Sequence, residues 1–179
     1  ESARIQKRNV LFHNESFQTA DRLQGGFDAV ISMFSAIDYV IRQDELITTL
    51  KNIRGLLNEE GLFVFDYWNA SAVVSSFSPV RVLRKKNEHG ELLRVSETTI
   101  DPIAQVATIH YTCLYWAEGQ RTEFEETHHM RYHSFTEMDL LLRTQGFEII
   151  RRCPFLEPDR EVQPEDWNIS IVAQKVKDQ

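Results

Sequence analysis

The chain has 179 residues, 42% of them hydrophobic and 11% aromatic, enough apolar material for a one-domain core, which excludes disorder as the main state. Lysine and arginine total 20 against 27 aspartates and glutamates, a net charge of -7, and without a long basic run no nucleic-acid partner is expected. No apolar stretch approaches the roughly 20 residues that cross a bilayer and the start carries no signal-peptide core, so the expectation is a cytoplasmic chain with no membrane partner.

Two cysteines, Cys113 and Cys153, make no disulfide framework. The seven glycines include no G-x-G spacing, which excludes a dinucleotide fingerprint and a P-loop within these residues. The chain begins at Glu1, and residues 2–8 read like the tail of a helix running into a strand. That points to a fragment of a longer protein.

In chain order, residues 9–13 (Asn-Val-Leu-Phe-His) are short, apolar and β-prone, and end at the polar loop Asn14, Glu15, Ser16, which predicts a strand. Gly25 and Gly26 precede residues 27–34, a near-continuous apolar run that predicts a central strand buried on both faces. Leu46, Ile47, Leu50, Ile53, Leu56 and Leu57 recur at helical spacing until Asn58-Glu59-Glu60-Gly61 stops the helix. Residues 62–66 follow as a second buried strand, so the three pieces predict a βαβ unit with parallel strands.

Beyond Asp66 the pattern changes to hairpins. Runs at 81–85, 92–101, 105–117 and 122–133 are separated by turn residues at 87–90, 101–102 and 118–120, which predicts antiparallel strands. The third run carries apolar residues on both faces, so the sheet needs a lid, a partner subunit or a ligand. Ser134-Phe135-Thr136-Glu137 has the form of a capping box and opens a helix that ends at Gly146. Residues 147–152 and 167–174 read as two further strands, with Pro154, Pro158 and Pro164 in the loop between them.

At this point the sequence resembles a family. The run Phe27 to Tyr39, the helix of Leu46 to Leu57, and Leu56-Leu57-Asn58-Glu59-Glu60-Gly61-Leu62-Phe63-Val64-Phe65-Asp66 resemble the fourth and fifth strands of class I S-adenosylmethionine-dependent methyltransferases. Glu126-Thr127-His128-His129-Met130-Arg131-Tyr132, before the helix ending in Gln145-Gly146-Phe147, is similar to the branch of sugar N-methyltransferases and glycine N-methyltransferase relatives. The resemblance covers essentially the whole chain. It implies an α/β fold, a partial Rossmann-like methyltransferase sheet (strands 3 to 7 of the order 3-2-1-4-5-7-6) with an antiparallel β extension. The implied division is a core half at 1–79, an extension covering the acceptor site at 80–133, and the final core helix and strands at 134–179.

The departure from the family lies upstream. The glycine-rich turn and the acidic strand end that hold the cofactor's ribose in that family do not precede Glu1, so this chain is expected to lack part of the S-adenosylmethionine site and to be inactive alone. What the resemblance places here is the far wall of that site. Asn14, Glu15 and Ser16 would lie near the adenine, with Glu15 as the contact, although a solvated loop acid reads equally well. Ser32, Met33 and Phe34, at the carboxyl end of a parallel strand, lie where α/β sheets bind ligands; a core role for Met33 and Phe34 is the alternative.

The expected reaction is methyl transfer to a small-molecule acceptor, an amine, which chiefly requires alignment and an unprotonated nitrogen. Tyr39 is the catalytic candidate, orienting the amine or accepting its proton; a buried tyrosine satisfied by backbone is the alternative. Trp68 would wall the acceptor beside a transient cation, with a core tryptophan as the alternative, while His128 and Arg131 would line the cleft or pair across the hairpin. His128, His129 and His133 with His110 could suggest a metal, but on a strand His129 and His133 share a face while His128 points the other way, so they do not converge on one ion without a kink and no metal site is expected. Exposed Tyr111, Tyr115 and Trp116 point to a homodimer or higher oligomer. Two rivals stay open: a non-catalytic methyltransferase-like oligomerisation scaffold, and, more distantly, an oxidoreductase whose glycine fingerprint lies upstream.

Overall fold

A computed structural model of the chain describes residues 11–177. It is a mixed α/β structure with two four-stranded sheets. In the first sheet β1 (Phe27–Ser32) runs parallel to β2 (Leu57–Trp68), while β8 (Asn168–Lys175) and β7 (Phe147–Pro154) follow antiparallel, giving the order β1-β2-β8-β7. Between β1 and β2 the chain crosses through α1 (Gln43–Leu56), and α3 (Phe135–Thr144) precedes β7.

The core lies on one face of this sheet. Phe63, Phe65 and Tyr67 alternate onto that face of β2 and are fully buried. They meet Leu46, Leu50 and Ile53 of α1, Met138 and Leu142 of α3, and Ile169 and Ile171 of β8. Phe63 and Phe65 stack with ring centroids 4.4 Å apart, so the pair adds aromatic contact to area burial. Ser134 caps α3 by accepting from the Glu137 amide at 3.2 Å, as the sequence predicts.

The second sheet is a meander of β3 (Val80–Asn87), β4 (Gly90–Asp101), β5 (Val106–Ala117) and β6 (Gln120–Arg131), antiparallel throughout. The β3–β4 hairpin leaves Glu88 and His89 as its turn, and Asn87 Oδ1 accepts from the amides of His89 and Gly90. Gly90 is required there: a Cβ would sit 2.5 Å from the Trp116 carbonyl oxygen. One face of this sheet, with Ala107, Ile109 and Met130, packs on Val73 of α2 (Ala70–Ser76) and closes a second apolar cluster. No helix of the described residues is long and apolar enough to cross a membrane.

Three expectations need correction. Asn9 and Val10 of the expected strand at 9–13 lie outside the described residues, and the adjoining residues 11–13 form no strand. The run at 27–34 is not central: β1 is an edge strand that exposes Phe27 and, at 67%, Ile31. The physical cause is that no described strand flanks its far side and no described helix covers the face carrying Ile31, so its apolar side chains have no partner layer. Finally, Asn58–Gly61 does not lie between helix and strand. Strand β2 already begins at Leu57, and the pairing jumps from Phe27 with Leu57 to Ala29 with Leu62, so these residues bulge out within the strand.

Candidate functional site

The carboxyl ends of β1 and β2 meet under a strained turn. After β1, Phe34 and Ser35 both take left-handed backbone conformations, at φ 62° and 56°, which is costly for residues with a Cβ. Asp66 holds the turn in place. Its Oδ2 accepts from the Ser35 amide at 2.9 Å, from the Ser35 hydroxyl at 3.1 Å and from Asn168 Nδ2 at 3.2 Å. The turn leads into a short 3-10 segment, Ala36–Tyr39, which projects Tyr39 toward the second sheet.

There Tyr39 meets His128 of β6. The phenol oxygen lies 2.6 Å from His128 Nδ1, and the opposite ring nitrogen, Nε2, lies 3.3 Å from Glu126 Oε2. A carboxylate beside Nε2 favours the tautomer with its proton there, leaving Nδ1 to accept from the phenol. The three side chains form a carboxylate–imidazole–phenol chain that joins the two sheets. Burial raises the Tyr39 phenol above its ordinary value, and the neighbouring Tyr111, Glu126 and Asp38 add to this, so it is a protonated donor at neutral pH.

Behind Tyr39 sits a buried polar cluster. Asp38 is fully buried and accepts from the Trp68 amide at 2.8 Å. His133, also fully buried, lies 3.9 Å from Asp38 Oδ1 and 3.6 Å from Glu137 Oε2. Burial raises the Asp38 carboxyl well above the usual range, and the like charge of Asp66 adds to it although the Trp68 amide opposes. Burial lowers the His133 imidazole, against the pull of Glu137.

A carboxyl whose folded value is raised binds a proton that the unfolded chain has released. Its contribution to stability is therefore present below the ordinary value and is lost as pH rises through the folded one. Asp38→Asn, which removes this titration, is expected to gain on the wild-type chain as pH rises above about 4, by at most about 1.4 kcal/mol per pH unit. Urea unfolding at pH 5 and pH 8 checks it; a stability difference between variant and wild type that does not move in the variant's favour from pH 5 to pH 8 contradicts the assignment.

Of the sequence candidates, Tyr39 and His128 come together directly. Glu15 and Ser16 share with Tyr39 the lining of an open groove of about 480 Å³ against α1 and β1, and Glu15 also lies 3.8 Å from Arg22. Asn14 is exposed and outside that lining. Ser32 is buried with an unpartnered hydroxyl, Met33 is half-buried, and Phe34 is exposed with its ring 5.8 Å from that of Phe155.

Trp68 lies away from this groove, in a smaller pocket of about 130 Å³ between α2 and the second sheet. Arg131 is nearly buried and committed elsewhere, donating to Glu137 at 2.7 Å and to the Ile41 carbonyl at 3.3 Å. It thereby ties β6 to α3. His129 and His110 do not join His128; they bond Thr108 and Thr127, each at 3.1 Å, on the outer face.

Sequence reasoning missed Glu126 as a partner and the whole Asp38–His133–Glu137 cluster. The alternation of β6 does put Glu126 and His128 on one face, which was the available signal. Nothing in spacing announces that His133, beyond the strand, turns inward.

Comparison with known proteins fits this architecture. No family model matches the chain. A solved S-adenosylmethionine-dependent methyltransferase from Clostridium acetobutylicum ATCC 824 superposes with a TM-score of 0.80 at 13% identity, covering 91% of this chain and 63% of that one. CalS10 from Micromonospora echinaspora, an amino pentose methyltransferase with S-adenosylmethionine bound, gives 0.71 at 18% identity, covering 90% and 63%. The fold is therefore that of class I S-adenosylmethionine-dependent methyltransferases. Among curated proteins the chain is 23% identical over 169 residues to one provisionally named methyltransferase YqeM, from Bacillus subtilis (strain 168), covering 94% of this chain and 66% of that protein. The chain thus spans just under two thirds of the length of each of these relatives.

Proposed function

We propose that this chain carries the acceptor-side part of an S-adenosylmethionine-dependent methyltransferase acting on a small-molecule amine. The observation that carries the reading is the 2.6 Å contact of Tyr39 with His128, a phenol backed by imidazole and carboxylate beyond the carboxyl ends of the parallel pair β1 and β2, a position that supports ligand binding in α/β sheets. The relatives named as methyltransferases support the reaction class, and CalS10, named for an amino pentose, supports an amine.

The residues present fit one wall of a cofactor site. The 480 Å³ groove is of ligand-binding size, Glu15 and Ser16 offer it polar atoms, and the orphaned Ser32 hydroxyl lies at the end of β1. S-adenosylmethionine, when bound, supplies an electrophilic methyl group. The open edge of β1 and the uncovered Ile31 support a further inference of this reading: the sheet is completed by chain beyond the described residues, and these residues alone do not turn over.

Within the site, Tyr39 orients the amine. Its hydroxyl donates to His128 and its free lone pair accepts an amine N–H, pointing the nitrogen lone pair away from the phenol and toward the methyl donor. His128 and Glu126 hold that orientation and give the released proton a path to solvent.

The test is transfer of isotopically labelled methyl groups from S-adenosylmethionine to a panel of amino sugars, amino acids and simple amines by the full gene product. Labelled product from at least one amine, and none from the corresponding alcohols, is expected; no product from any amine ends the proposal. The half-buried Leu114 and Trp116, on the face of the second sheet opposite the one that packs on α2, support self-association through that surface. Trp116→Glu is then expected to lower the sedimentation coefficient without changing cofactor binding, and an unchanged coefficient contradicts it.

A further inference from the structure

The small pocket between α2 and the second sheet has a chemistry that the methyl-transfer reading does not use. Its floor is apolar, formed by Val73, Ala107 and Ile109, and its wall is the edge-to-face pair of Trp68 and Trp167, with ring centroids 5.3 Å apart. Two arginines stand at its rim. The Arg81 guanidinium lies 5.3 Å over the Trp167 ring and that of Arg94 lies 4.8 Å over Tyr111.

Neither arginine has an ion pair or a side-chain hydrogen bond among the described residues, and Arg94 Nε is buried without any partner. That is unusual in a chain of net charge -7, where carboxylates outnumber cations and most other described arginines have found one. On the same face Ser96 and Thr98 add hydroxyl groups. Stacking on an aromatic ring leaves the donor edge of a guanidinium free, and that edge matches the two oxygens of a carboxylate or phosphate. At about 130 Å³, the pocket is of the order of the roughly 150 Å³ that accepts a benzene ring.

We propose that this pocket binds a small organic anion, a flat apolar body ending in a carboxylate or phosphate held by Arg81 and Arg94. Resting on the methyl-transfer reading, that anion is the far end of the acceptor: Tyr111 lines the pocket and its ring lies 5.2 Å from that of His128, so a molecule seated here reaches toward Tyr39. The acceptor is then a nucleophile and an anion in one molecule, which excludes simple amines.

The test titrates the full gene product with benzoate, phenyl phosphate and uncharged benzyl alcohol, read by tryptophan fluorescence, since two of the three tryptophans in these 179 residues wall the pocket. At least one of the two anions is expected to bind at least tenfold more tightly than benzyl alcohol and to weaken with added salt; which anion wins assigns carboxylate or phosphate. Arg81→Gln and Arg94→Gln are each expected to lose at least tenfold, and Arg94→Lys, which keeps the charge without the fork, to lose less. Arg84→Gln, on the other face and paired with Glu91 at 2.5 Å, keeps full binding.

Benzyl alcohol binding as tightly as both anions, no response to either anion, or glutamine variants equal to Arg84→Gln, overturns the proposal. The readout needs no cofactor, so the two readings fail separately. Anion binding without any methyl transfer by the full gene product leaves the pocket and removes the enzyme; methyl transfer without anion binding does the reverse.

Discussion

Asp66→Ala is expected to cost about 3 kcal/mol of stability, a large part of the 5–15 kcal/mol available to a domain. Asp66 is fully buried and one oxygen accepts three hydrogen bonds, from the Ser35 amide and hydroxyl and from Asn168. Alanine would strand the buried Ser35 amide without an acceptor. It would also release the left-handed Phe34–Ser35 turn, whose strain persists only while its surroundings hold it. Asp66→Asn keeps the volume and one acceptor oxygen and is expected to cost about half as much. Urea midpoints compare the three chains; a loss below about 0.5 kcal/mol for alanine would show that the turn does not depend on this carboxylate. Because Tyr39 follows four residues after Ser35, activity is expected to fall with stability.

In the full gene product, Tyr39→Phe is expected to lower kcat about 100-fold while leaving cofactor affinity within a factor of about three. The ring and its packing remain, and only the oxygen that faces His128 at 2.6 Å is lost. His128→Asn, which keeps a hydrogen-bonding group near the phenol, is expected to lose about tenfold, and Glu126→Gln less. The graded order follows from distance to the acceptor along one chain of side chains. Steady-state kinetics with varied acceptor checks it. Equal losses in all three variants, or a change confined to KM, would reduce the group to a structural strut between the sheets.

Much of the fold was legible because the alternation and spacing are strong. The α1 periodicity and the capping box at Ser134 each produced the helix they announce, and four hairpin strands appear within a few residues of their turn signals. Helix α2 was missed. Its sequence Ala-Ser-Ala-Val-Val-Ser-Ser has little intrinsic preference for a helix, and it forms because Asn69 caps it by accepting from the Ser71 amide while Ala72 and Val73 are fully buried.

The edge position of β1 was illegible for a different reason. Phe27, Ala29 and Ile31 carry the apolar signature of a strand covered on both sides, and nothing in it says which neighbours are present. Half of the site was legible through Tyr39 and His128. Pairings across long sequence separations, such as Trp68 with Trp167 and Asp38 with His133, are created by the crossing of sheets and leave no local trace. Arg131 shows the converse limit: beside His128 in sequence it resembles a cleft residue, yet it sits at the end of β6, where Glu137 and the Ile41 carbonyl capture it.

The central claim is that the carboxyl ends of β1 and β2 face an S-adenosylmethionine site, and calorimetric titration with S-adenosylhomocysteine tests it most directly. The full gene product is expected to bind one equivalent, with the heat retained in Tyr39→Phe and the affinity weakened in Asp66→Ala. The 179-residue chain, with no G-x-G turn and β1 open at its edge, is expected to give no saturable heat. Absence of binding by the full gene product would contradict the account and leave a methyltransferase fold without its cofactor.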